Sequence, residues 1–133
     1  MKSTFKHPKI YADLLTLYRI YWQIHKHLPK PFRFTTGECV LSELTGCVRY
    51  VVLANAIDKR SDIGRGQGAR YLHDARASLS VIRGLLTIGW GMSFISHGAL
   101  MQLTELLDGI EKQATRWQQW FEGKPANLST SDS

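Results

Sequence analysis

GARYLHDARASLSVIRGLLTIGWG, residues 68–91, meets two demands on two faces of one helix. Leu72, Ala75, Leu79, Ile82 and Leu86 recur at alternating steps of three and four, the spacing of a buried helical stripe. Another face carries His73, Arg76, Ser80, Arg83 and Thr87. Arg76 and Arg83 lie two helical turns apart, so both guanidiniums fall on one side, with Asp74 as the only acid nearby. The spacing therefore predicts a helix over about 69–89 with a cationic face that lacks its own counterions. The competing reading is an ordinary solvated face, or arginines that pair with acids from another helix.

Upstream, Pro8 suits a first helical turn and opens a helix to about residue 27. Ile10, Leu14, Leu17, Tyr21, Ile24 and Leu28 form its stripe, and Tyr11, Leu15, Tyr18 and Trp22 form a second one beside it. So wide an apolar arc needs a central position in a bundle or a second subunit, and the aromatic content of the second stripe makes those four residues candidate oligomer contacts. PKPFRF, residues 29–34, should break the helix, because Pro29 and Pro31 disfavour helical geometry for the residues before them. Thr35 and Glu38 fit a capping box, which predicts the second helix over about 36–57. Val40, Leu44, Cys47, Val51 and Ala54 give it an apolar face. Arg49, its only base, must snorkel, pair with an acid, or face a ligand or subunit.

DKRSDIGRGQG, residues 58–68, gathers Lys59, Arg60 and Arg65 with alternating glycines and reads as a mobile basic loop, with Arg70 just beyond it. It lacks the preceding strand and the lysine of a phosphate-binding loop. Ser96 supplies the cap of a last helix over 97–121, with Ile95 able to staple onto Leu100. Its stripe is Leu100, Leu103, Leu107, Ile110, Ala114, Trp117 and Phe121, with Glu105, Asp108, Glu111, Lys112 and Arg116 expected outward. Residues 124–133 are small and polar, as expected of a disordered tail, and residues 1–7 form a polar basic lead. The pattern throughout is helical: four helices in one domain of residues 1–123.

The 133 residues carry 17 Lys and Arg against 11 Asp and Glu, a formal charge of +6 that favours an anionic partner. Asp13 interrupts any signal-peptide core, and the window Leu85–Ile95 is too short and interrupted to span a bilayer, so the expectation is a cytoplasmic protein without a membrane partner. Cys39 and Cys47, about 12 Å apart along one helix, exceed the roughly 7 Å reach of a disulfide and read as buried small hydrophobes. His25 and His27 diverge on a helix, and Glu105 and Asp108 have no flanking His. No GxSxG, HExxH, or HxE with PCxxC occurs, so neither catalysis, a metal nor a cofactor is expected.

Three segments taken in order, LPKPFRFTTGE opening the second helix, YLHDARASLSVIRGLL in the third, and FIS leading into LMQLTELLDGIEKQATRW, resemble one family over roughly Leu28 to Trp120. It comprises the four-helix-bundle Avd accessory proteins of diversity-generating retroelements and the proteins encoded within ribosomal-RNA intervening sequences. The resemblance implies an all-α, antiparallel up-down-up-down bundle assembled into a basic homopentameric barrel. It also implies, for an Avd-like chain, binding to a reverse transcriptase and to RNA or DNA during mutagenic retrohoming. Arg83 before Leu85 and Leu86 matches the family's helix-three arginine, whereas Thr87 stands where a second base often occurs. The segment RGQG has no counterpart in the family. Candidate nucleic-acid contacts are thus Arg49, Lys59, Arg60, Arg65, Arg70, Arg76 and Arg83. The alternatives are an intervening-sequence bundle without a polymerase, or a protein-interaction scaffold whose arginines meet acids of another chain.

Overall fold

The computed structural model describes residues 8–123, and these contain helices and no strand. Helix α1 spans Pro8–His25, α2 Lys30–Phe32, α3 Glu38–Ala56, α4 Asp62–Gly91 and α5 His97–Phe121. A π-helical turn, Arg33–Gly37, joins α2 to α3, so the chain forms four helical rods. The α3–α4 pair is antiparallel: Gly46 lies opposite Ser78 and the Phe32 ring reaches Gly89. The α4–α5 pair is too, with Gly68 against Phe121 at one end and Arg83 against Asp108 further along. Helix α1 lies mainly along α5, where Gln113 Nε2 donates to Asp13 Oδ2 at 2.7 Å, and touches α3 little.

Each expected stripe is the buried face of its helix. Leu72, Ala75, Leu79, Ile82 and Leu86 of α4 are at most 2% exposed, and all seven residues expected inside α5 are buried. The Ser96 cap is present, its hydroxyl accepting from Ala99 N at 3.1 Å, and Ile95 and Leu100 are both buried.

Two boundaries differ from expectation for identifiable reasons. The second rod starts at Lys30, because Pro31 sits in its first turn, where the missing N–H has no intrahelical partner to lose. Thr35 is consequently already inside the rod, and its hydroxyl donates back to Pro31 O at 2.6 Å instead of capping. The other half of the expected capping box, Glu38, turns to His25 Nε2 at 3.4 Å.

The glycine-rich stretch expected as a mobile loop is the first two turns of α4. Ser61 caps it by accepting from Gly64 N at 2.9 Å. Gly64 lets the Asp58 carbonyl approach the helix, and a Cβ at Gly68 would stand 2.6 Å from the Phe121 ring. Close approach, not chain slack, accounts for these two glycines.

The cysteines divide: Cys39 is exposed, contrary to the expectation that both are buried, and Cys47 is buried. Burial, and then the Glu43 carboxylate, push the Cys47 thiol up to about 12, which leaves it protonated and inert at neutral pH. The run Lys30–Ala56 is long and apolar enough to cross a membrane by length and composition. Its apolar residues Val40, Leu44, Cys47, Val51 and Ala54 belong to the shared core. Residues 1–7 and the expected tail 124–133 lie outside the described part of the chain.

The glycines give a test of the packing. Gly68→Ala should destabilise by about 1–3 kcal/mol through overpacking against Phe121. Gly84→Ala, whose Cβ meets nothing within 4 Å, should stabilise by up to about 1 kcal/mol through helix propensity. Chemical denaturation of the two variants checks both signs.

Candidate nucleic-acid interface

Three side chains of the expected basic set are held by their own chain near the start of α4. Lys59 Nζ donates to Asn55 O at 2.6 Å and to Ile57 O at 3.5 Å, placing its charge at the carbonyl end of α3. Arg60 pairs with Asp58 at 3.6 Å. Arg65 pairs with Asp62 and donates to Lys59 O at 3.0 Å. The chain through Asp58–Ser61 is thus tied to the first turn of α4, and its cations are partly neutralised where they stand.

Arg76 and Arg83 do share one side of α4, as their spacing requires, but that side has counterions. Arg76 Nη1 donates to Gln118 Oε1 at 2.9 Å and its Nη2 lies 3.7 Å from Glu111 Oε2; Arg83 pairs with Asp108. The expectation of a face without counterions is corrected here: Asp108 keeps its outward place and Glu111 is partly exposed, yet both reach the arginines of α4. In an antiparallel pair, acids at 108 and 111 and the amide at 118 meet bases at 83 and 76 in reversed order. That matching was present in the sequence, in the spacing of α5 against α4, once the two helices were paired. The acids also belong to the same chain as the arginines, whereas the scaffold reading requires another chain. Both guanidiniums remain about a third exposed, so solvent screens the pairs and leaves room for a second anion.

Arg49 and Arg70 are different. Both are exposed, on α3 and α4, and among the described residues neither makes an ion pair or a side-chain hydrogen bond. Arg49 therefore meets no acid among the described residues, and its side chain is exposed. Nothing here gathers all seven cations into one patch: two are free, two bridge α4 to α5, and three sit around the α3–α4 connection.

On α1, Leu15 is 55% exposed and Trp22 47%, while Tyr11 and Tyr18 are half-buried against the bundle's own core. The second stripe therefore divides, with its aliphatic and indole members left outside.

A buried polar cluster escaped the sequence reading. His25 Nδ1 lies 3.1 Å from the Tyr21 hydroxyl, which donates to Gly37 O at 3.3 Å, and Glu38 closes the group on the far side of the imidazole. Burial and the Glu38 carboxylate push the Tyr21 phenol above its usual range. The cluster fastens the end of α1 to the π-helical turn; its signal was the i, i+4 pair Tyr21 and His25 on the apolar stripe. Among the described residues no group of three His, Cys, Asp or Glu is placed to hold a metal. A recess lined by Met101, Gln102, Thr104, Glu105 and Asp108 carries no nucleophile–base pair.

Comparison of the chain with protein-family models, curated proteins and solved structures finds no match.

Solvent screening keeps the α4–α5 bridges weak. A double-mutant cycle with Arg83→Ala and Asp108→Ala, read by denaturation, should give a coupling of at most about 1 kcal/mol.

Proposed function

We propose that this chain is a non-catalytic, basic accessory protein that binds nucleic acid as a homo-oligomer, and that it partners a reverse transcriptase in a diversity-generating retroelement. The observation that carries the nucleic-acid part is the excess of cations, +6 over the whole chain, with Arg49 and Arg70 exposed and unneutralised among the described residues. The polymerase partner and the pentamer rest on the family resemblance. Helical architecture is compatible with that family, and the exposed Leu15 and Trp22 offer an apolar surface for a second copy. In a ring of copies each free arginine repeats around the symmetry axis, which multiplies weak phosphate contacts.

Within this reading the paired arginines act as a reserve, because a phosphate can displace the partly exposed Glu111 and Asp108 carboxylates. Anisotropy measurements on a labelled RNA separate the two sets. Arg49→Ala with Arg70→Ala should weaken binding and lower the log–log salt slope by about one unit for each lost contact. Glu111→Gln with Asp108→Asn should strengthen it. Unchanged affinity and slope after Arg76→Ala with Arg83→Ala would remove that pair from the interface.

Assembly has its own readout. Light scattering should give the mass of a pentamer, and Leu15→Glu with Trp22→Glu should reduce it to a monomer. Co-purification with a polymerase encoded next to this gene distinguishes the retroelement role from that of an intervening-sequence protein, whose gene would lie inside a ribosomal-RNA gene.

A further inference from the structure

Between α1 and the π-helical turn the chain reads KHLPKPFRF, residues 26–34, with three fixed cations and no acid. Lys26 and Lys30 are exposed, and among the described residues neither ammonium has an ion pair or a hydrogen bond. Among the described residues Arg33 meets no carboxylate either. Its Nη1 donates to Lys26 O at 3.1 Å, which ties the two sides of the corner together, and its guanidinium sits 4.9 Å from the centre of the Phe34 ring. The next acid along the chain, Glu38, faces His25.

Phe34 is the odd residue in this setting. Two positions earlier Phe32 is buried and packs edge-on against Phe94 at 5.0 Å, whereas Phe34 is 62% exposed. It stands on the π-helical turn, a local departure from α geometry that turns side chains away from the positions a regular helix would give them. An outward phenyl ring held beside a pinned guanidinium, with two free ammonium groups next to it, combines a stacking surface with phosphate contacts.

We infer that this corner binds single-stranded nucleic acid, with Phe34 and the Arg33 plane stacking on a base and Lys26 and Lys30 meeting the flanking phosphates. The inference rests on the nucleic-acid reading above and gives it a different surface from the arginines of α3 and α4. Single strands are specified because only unstacked bases present a face to the ring; a duplex would use the cations and leave Phe34 idle. Trp22 belongs to the α1 stripe and is left out of the site, so oligomer assembly and strand binding are separable.

The test is fluorescence anisotropy with a labelled 20-nucleotide oligo(U), a duplex of the same length, and vesicles containing phosphatidylserine. Lys26→Gln with Lys30→Gln, Phe34→Ala, Phe34→Trp, and Arg49→Ala with Arg70→Ala are compared with the unsubstituted chain. All these side chains are exposed, and thermal melts confirm that each variant is folded. Phe34→Ala should weaken oligo(U) binding by about fivefold or more with little effect on the duplex, and Phe34→Trp should restore it. The double lysine variant should weaken both strands and lower the salt slope by between one and two units. If the Phe34 and lysine variants bind oligo(U) like the unsubstituted chain while the arginine variant does not, this corner is not the site and the broader nucleic-acid reading stands. If the unsubstituted chain binds neither nucleic acid at low salt, both fall. Vesicle binding that depends on Phe34, without strand binding, would assign the corner to a lipid surface instead.

Discussion

Helix α4 is sandwiched between α3 and α5, and the remainder of the bundle is arranged by that double contact. Its buried face alternates large and small residues, Leu72, Leu79, Ile82 and Leu86 with Gly68, Ala69, Ala75, Ser78 and Gly89, so both neighbours come close along its length. At its ends the approach is tightest: Phe121 covers Gly68, and Ile95 and Phe32 close over Gly89. Side chains this tightly fitted leave few alternative registers. Helix α1 is held differently, along α5 and by the Tyr21–His25–Glu38 cluster at its end, and its outer edge keeps Leu15 and Trp22 in solvent.

The same register sorts the charges. Because α5 runs antiparallel to α4, its acids reach the two arginines that looked isolated on α4 alone, and the capping of α4 at Ser61 brings Asp58 and Asp62 to Arg60 and Arg65. Among the described residues, cations without a carboxylate partner lie elsewhere: Arg49 and Arg70 on α3 and α4, Lys26 and Lys30 at the corner between α1 and α2, and Arg19, Lys112 and Arg116 on α1 and α5. The excess positive charge is therefore a property of faces that the helix contacts do not use. These are the faces left available to an anionic polymer.

Most of the fold was legible because it depends on periodicity. The α4 and α5 stripes needed only the 3.6-residue repeat, and the Ser96 cap needed only one side chain and one backbone N–H. What periodicity could not supply was anything decided between helices. Asp108 and Glu111 look outward on a helical wheel of α5, and only the neighbouring α4 makes them partners. Gly64 and Gly68 look like loop residues until the Asp58 carbonyl and the Phe121 ring occupy the space a side chain would need. Pro29 and Pro31 were misleading for a local reason: a proline ends a helix when it follows one, but is tolerated when the helix begins at it. The candidate site was legible as a set of cations and not as a surface, since sequence spacing does not reveal which charges are already satisfied.

The proposed interface with nucleic acid is electrostatic, and salt dependence probes it most directly. The affinity of the unsubstituted chain for a single-stranded RNA, measured from about 50 to 200 mM salt, should fall linearly on a log–log plot with a slope of several counterions. An affinity that is flat over that range, or absent at its low-salt end, would contradict it.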